Sequence, residues 1–278
     1  MEIHEDLKQL AKDAYALAMQ RCRGCHNFHA LWPYLRIGRI SSGVEGGRAP
    51  LTAAIRESCA GGSREILITG AADTGILCLA AQASKDSAAS FVVIDVCDTP
   101  LELCRRFARQ WNLRLETEVV DVTELSFQNR FDIVIAHSLL HYLRPEQRGT
   151  MFSRIAAALK PDGKFLQVFN TGLKIRGATV SEYRDRYPDW VLEQLEARNI
   201  DLPEARGAFR ARLAAYAEER EQREGVAQTP EDILALMRSA GFSGISCRDI
   251  ELNLAAPYTN FVAKLSKRRY LSIASLSP

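Results

Sequence analysis

Between Glu65 and Phe169 the chain alternates strand-length runs with helix-length runs, and this alternation limits the possible folds more than any other feature. "EILITG" (65–70), "FVVIDV" (91–96), "LETEVVDV" (115–122), "FDIVIAH" (131–137) and "GKFLQVF" (163–169) have the length and the β-branched and aromatic content of strands. "ILCLAAQA" (76–83), "PLELCRRFARQW" (100–111) and "PEQRGTMFSRIAAAL" (145–159) lie among them and have helical character. Strands joined through helices need crossovers, and crossovers produce a mostly parallel sheet covered on both faces.

The flanks complete a three-part organisation. Residues 2–20 place Ile3, Leu7, Leu10, Ala14 and Leu17 on one helical stripe, and further helices are expected over 27–37 and 51–60 around a Gly- and Ser-containing loop at 38–50. Residues 1–62 are therefore read as a helical lid. Residues 171–228 hold two charged helical segments with no strand between them, a helical insertion that caps the substrate region. A helix at 229–240 begins with Thr229 as N-cap and Asp232 in capping position. "ISCRDIELNL" and "NFVAKLSK", joined by the short "AAPYT", then form an antiparallel pair that returns the chain to the sheet. The sheet-forming core is thus assigned to 63–170 and 229–270.

Composition narrows the function. A hydrophobic content of 47% supports a sizeable core, and a net charge of +2 gives no basis for a nucleic-acid partner. No apolar run reaches the roughly 18 residues of a membrane helix, and "MEIHEDLKQLAKDAYALAMQ" has no signal-peptide pattern. With seven cysteines and no scaffold-like density, a reducing cytoplasm is the expected compartment and a small molecule the expected partner. The sequence is compatible with a monomer or a homodimer.

The chemical signal is "GAADTG" (70–75), which follows the first strand and opens a helix, so that backbone N–H groups can approach a ligand. Asp95 ends the second strand, where a carboxylate can accept both hydroxyls of a ribose, and Asp121-Val122 ends the third, suited to an adenine amino group and ring. The succession "ILITGAADTG", "VVIDVCDTPLELCRRFA", "VVDVTEL", "FDIVIAHSLLHYL" and "LKPDGKFLQVF" resembles the class I S-adenosylmethionine-dependent methyltransferases over roughly half the chain. The resemblance implies an α/β, seven-stranded Rossmann-like sheet with an antiparallel C-terminal hairpin, and S-adenosyl-L-methionine as cofactor. It also implies that Gly70, Ala71, Ala72 and Gly75 border the methionine part, that Asp95 with Val96 holds the ribose, that Asp121 and Val122 hold the adenine, and that His137 borders the cofactor. The family usually has an acid where Ile68 stands and glycines where Ala72 and Thr74 stand, so Asp73 is a candidate for a compensating polar role.

"RCRGCHNFH" (21–29) offers cysteines and histidines at helical spacing. Four ligands on one helix cannot surround a tetrahedral ion, and no second Cys or His cluster is visible, so no metal is expected there. In similar enzymes such N-terminal helices close over the cofactor, which makes "NFHALWPYLRIG" a candidate lid. Trp32 and Tyr34 offer aromatic faces to a cationic group, and Arg36 a bidentate partner for a carboxylate of the cofactor or of the substrate. Tyr34, His29 and His141 are the candidate catalytic residues, with Tyr142, Tyr183, Tyr187 and Tyr258 as candidate pocket walls. The expected reaction is methyl transfer to a small molecule in specialised metabolism. Two alternatives stay open: a non-methylating cyclase, in which the cofactor's own amino group attacks its γ-carbon and methylthioadenosine leaves, and a non-catalytic cofactor-binding regulator.

Overall fold

The computed structural model describes residues 3–41, 43–60, 62, 64–171, 178–223, 229–250 and 268–276, with side chains at 178–184, 220–223 and 268 outside that description. Seven strands form one sheet in the order β3-β2-β1-β4-β5-β7-β6. β1 (Glu65–Thr69), β2 (Ser90–Asp95), β3 (Arg114–Val119), β4 (Phe131–His137) and β5 (Leu159–Thr171) run parallel, and β7 (Arg268–Leu276) is antiparallel to β5 and to β6 (Phe242–Ile250). The expected Rossmann-like sheet is present. Its order reverses between β1 and β4, which opens a crevice at the carboxyl ends of β1, β2 and β4.

Strand periodicity divides the core into two faces. Ile66, Ile68, Phe91, Val93, Ile133 and Ile135 pack under α3 (Arg48–Cys59), α4 (Gly75–Ala83) and α5 (Asp98–Trp111), whereas Leu67, Val92, Ile94, Val134 and Phe165 pack under α6 (Pro145–Ala158) and α9 (Pro230–Ser239). α9 starts as expected: the Asp232 N–H donates to Thr229 Oγ1 at 3.2 Å and the Thr229 N–H to Asp232 Oδ2 at 3.0 Å.

Two boundaries differ from expectation. Residues 48–59, grouped with the lid, form a sheet-covering helix whose Leu51, Ala54 and Ile55 lie in the core. A strand not foreseen in the sequence, "RRYLSIASL", pairs with β6 and carries the core past residue 270, with Leu271 opposite Val168 and Ala274 opposite Phe165. Polar residues that are themselves buried, Arg269 and Ser272, stand beside Leu271 and Ala274, which face opposite cores, so the segment shows no apolar alternation. The segment 251–267, including "AAPYT" and Tyr258, lies outside the described residues.

The remaining helices form a separate layer. α1 (Leu7–Arg21) lays Leu10, Ala14 and Leu17 on Leu103 of α5. α2 (His26–Ile37) turns its Phe28, Leu31, Tyr34 and Leu35 into an apolar core shared with α7 (Ala178–Glu196) and α8 (Arg206–Arg223). The lid helix and the insertion, separated by 140 residues of chain, are thereby one helical body. Burying a common apolar face is what makes two charged, individually marginal helices stable.

Candidate functional site

The site is assembled at the carboxyl ends of the parallel strands. Gly70 follows β1 with a φ of +76°, and a Cβ there would come within 2.9 Å of Leu139 Cδ1. Only glycine takes this turn without strain and without crowding the β4 loop. Asp95 ends β2, accepting the Ala71 N–H through Oδ2 at 2.9 Å and the Cys97 N–H through Oδ1 at 2.8 Å. Burial pushes this carboxyl's pKa up, while the N–H groups of Ala71 and Cys97 pull it down. Its oxygens are fixed in direction by the turn and each keeps a lone pair for a ligand hydroxyl.

Val96 beside it is 66% exposed, and Val119, paired with Asp95 across β2–β3, is 56% exposed. They leave apolar surface open next to the fixed carboxylate. Asp121 accepts from the Thr123 N–H and hydroxyl through Oδ1 at 2.8 and 2.7 Å, and Val122 is buried under the loop. At the end of β4, His137 Nε2 is sealed from solvent with no hydrogen-bond partner among the described residues. Burial first, then the charges of Arg269 and Arg36, lower its pKa to about 3, so the ring is neutral.

Aromatic rings close the opposite side. His141 and Tyr142 occupy a short helical turn after β4 with their ring centroids 4.2 Å apart, and Tyr142 meets Phe28 of α2 edge-on at 5.5 Å. Phe28 also contacts Trp32 at 5.5 Å and Tyr216 of α8 at 6.4 Å. Tyr187 is buried in the same helical core, whereas the Tyr183 side chain lies outside the description.

Asp73 and Thr74 of the turn acquire a use here. Arg36 of α2 donates through one nitrogen to Asp73 Oδ2 at 2.6 Å and through the other to Glu5 Oε2 at 2.7 Å. Thr74 Oγ1 donates to Glu5 Oε1 at 2.5 Å, and Asp73 Oδ1 accepts the Gly75 N–H at 2.8 Å. The Arg36, Glu5 and Asp73 side chains are 4%, 7% and 5% exposed. Burial lowers the Arg36 pKa, but Asp73 and Glu5 outweigh it and hold the guanidinium charged. The guanidinium expected to meet a cofactor carboxylate is engaged by two acids of its own chain. Asp73 and Thr74 are the points at which lid and turn are joined.

Of the proposed catalytic side chains, Tyr34 lies in the helical core, and His29 packs against the loop that follows β2. Tyr34 is buried with its ring edge on Phe209 at 5.4 Å, and its hydroxyl, raised to about 12 by burial and then by Tyr15 and Asp201, has no hydrogen-bond partner among the described residues. His29, 4% exposed, directs Nδ1 at Cys22 Sγ, 3.4 Å away. Cys22, Cys25, His29 and Cys97 place one donor atom each within 4.8 Å of one another. The premise that no ligand from a second segment faces "RCRGCHNFH" therefore does not hold, because the β2–α5 loop brings Cys97. Burial pulls His29 down, but the contacts with Cys22 and then Cys97 outweigh it and raise it to about 9. Glu5 and Cys97 were invisible to sequence reasoning: neither stands in a pattern until the fold supplies its neighbours.

Comparison with known proteins agrees with this fold. A family described as "Methyltransferase domain" matches residues 69–163, about a third of the chain. No curated protein matches the sequence. The fold is similar to Haemonchus contortus phosphoethanolamine N-methyltransferase 2, crystallised with phosphomonomethylethanolamine and S-adenosylhomocysteine, at 16% identity and a TM-score of 0.60 over 92% of this chain. The chain spans only 59% of the length of that protein. It is also similar to geranyl diphosphate C-methyltransferase from Streptomyces coelicolor A3(2), with 12% identity, a TM-score of 0.54, and 82% and 79% of the two chains covered. The [4+2]-cyclase SpnF matches at 18% identity with a TM-score of 0.50, covering 82% of this chain and 80% of its own.

Proposed function

We propose, on the premise that this chain belongs to the class I Rossmann-like methyltransferase family, that it binds S-adenosyl-L-methionine at the Gly70–Gly75 turn and acts as a transferase on a small molecule. The observation that carries the reading is Asp95, held through both oxygens by the turn and its own loop and flanked by the exposed Val96. A carboxylate fixed in that manner suits vicinal hydroxyls, and the open valines suit a flat ring. The cofactor supplies an activated methyl group on a sulfonium. The protein aligns it and excludes water.

The residues divide that work. Gly70 and Ala71 bring backbone to the methionine portion, Asp121 and Val122 border the ring, and neutral His137 walls the site without adding positive charge beside a cation. Phe28, Trp32 and Tyr142 offer ring faces to a sulfonium or an ammonium acceptor. Where the acceptor must lose a proton, His141 is the base, because His29 is engaged by Cys22 and Tyr34 is buried in the helical core. A second reading has one observation in its favour: the lid is fastened over the turn by a buried ion triad. An enclosed aromatic site suits intramolecular cyclisation, which needs no acceptor.

Calorimetric titration tests the first step. Asp95→Ala and Asp95→Asn should each bind S-adenosylhomocysteine at least tenfold more weakly than the wild type, since charge-assisted bonds to two hydroxyls are lost; unchanged affinity in both overturns the placement. Mass spectrometry after incubation with S-adenosylmethionine separates the two reactions, methylthioadenosine marking cyclisation and S-adenosylhomocysteine marking transfer.

A further inference from the structure

We propose that Cys22, Cys25, His29 and Cys97 form a closed tetrahedral Zn²⁺ site that fastens the α1–α2 junction to the carboxyl end of β2. Local structure prepares the set. Cys22 caps the C-terminus of α1, Cys25 is the N-cap of α2, His29 lies one turn further along α2, and Cys97 is the N-cap of α5. The first two straddle a two-residue connection, and residues four apart share a helix face, so Cys25 and His29 point the same way. Cys97 arrives from the other side, about seventy residues later in the chain. Two separate segments thus supply the ligands, as tetrahedral closure requires.

The distances match a metal more closely than they match chance packing. Zn–S bonds of about 2.3 Å and Zn–N bonds of about 2.0 Å in a tetrahedron place sulfurs about 3.8 Å apart and sulfur and nitrogen about 3.5 Å apart. Cys22 Sγ lies 3.6 Å from Cys97 Sγ and 3.4 Å from His29 Nδ1, and all four donor atoms fall within 4.8 Å of one another. A disulfide between Cys22 and Cys97 would use two of these donors and leave Cys25 and His29 converging on nothing. Thr99, fully buried, has its hydroxyl 3.1 Å from Cys22 Sγ, a donor for a metal-bound thiolate. Three sulfurs and one imidazole suit Zn²⁺ and leave no open position, so the site is structural. His29 and Cys97 are buried while Cys22 and Cys25 remain partly exposed, which gives an ion a way in. On binding, the thiols pass their protons to solvent and no redox partner is needed. Asp95 lies two residues before Cys97, so the ion would hold the lid junction beside the ribose acid.

Metal content and optical spectra of the full chain decide the matter. Reduced protein as purified should contain one zinc per chain. After chelator treatment it should take up one Co²⁺ per chain, with the intense visible bands of a tetrahedral ion and near-ultraviolet thiolate charge transfer. Cys97→Ser should weaken Co²⁺ binding at least tenfold and alter those bands, while Cys247→Ser, on β6, leaves both unchanged. Should Cys97→Ser fail to fold, His29→Gln and the wild-type spectrum carry the same test. Less than half an equivalent of Zn²⁺ bound with the thiols reduced, a Cys22–Cys97 disulfide in metal-free protein, or Cys97→Ser spectra identical to wild type overturns the proposal.

Discussion

Removing the Arg36 side chain tests whether lid and turn are joined as described. The guanidinium lies between Asp73 and Glu5 at 2.6 and 2.7 Å, with all three side chains less than a tenth exposed. Arg36→Ala leaves two buried carboxylates facing each other with no cation, and breaking such a pair by removing one partner costs about 3–5 kcal/mol. For a chain of this size each kcal/mol shifts the midpoint by about 2–4 °C, so the loss is at least about 6 °C. Salt screens exposed charges far more than buried ones, so the deficit should persist in concentrated sodium chloride. Arg36→Met combined with Glu5→Gln and Asp73→Asn should recover most of it, because no unpaired charge remains. Scanning calorimetry at neutral pH reads all of these values. A midpoint within about 2 °C of wild type for Arg36→Ala, or a deficit abolished by salt, refutes the buried triad.

Two further outcomes follow from unpartnered polar atoms. Tyr34→Phe removes a buried hydroxyl with no partner among the described residues, so stability should hold or rise by up to about 1 kcal/mol, with turnover unchanged; a tenfold fall in turnover would return Tyr34 to the chemistry. His137 has a folded pKa of about 3 against an ordinary value near 6.5, so the unfolded chain binds more protons between those limits. Its contribution is complete above about pH 6.5 and is lost at about 1.4 kcal/mol per unit as pH falls toward 3, or about 2 kcal/mol by pH 5. Urea midpoints at pH 7 and 5 should therefore converge more closely for His137→Gln than for wild type, and an equal spread in both would refute the burial of a neutral ring.

The local signals that determined the sheet are ones that act within a few residues. Strand-length apolar runs broken by Gly70, Asp95 and Asp121 placed the parallel strands, the glycine turn and the strand-end acids, because each depends on covalent backbone preference and on period-two burial. Thr229 with Asp232 fixed a helix start for the same reason. β7 escaped because Arg269 and Ser272 are buried between its few apolar residues, and polar residues inside the sheet erase the period-two pattern. The site's fastenings were beyond local reasoning. Arg36 faces Glu5 and Asp73 rather than a ligand, and Cys97 faces the Cys22–His29 turn, because loop ends distant in sequence converge where the sheet order reverses. Such contacts depend on the packing of α1 against α5 and of α2 against α1, α7 and α8, a long-range outcome that no spacing within a segment encodes. The sequence by itself settled where the glycine turn and the strand-end carboxylate stand, and the tertiary structure alone decided which side chains from α1, α2 and the N-terminus are fastened to them.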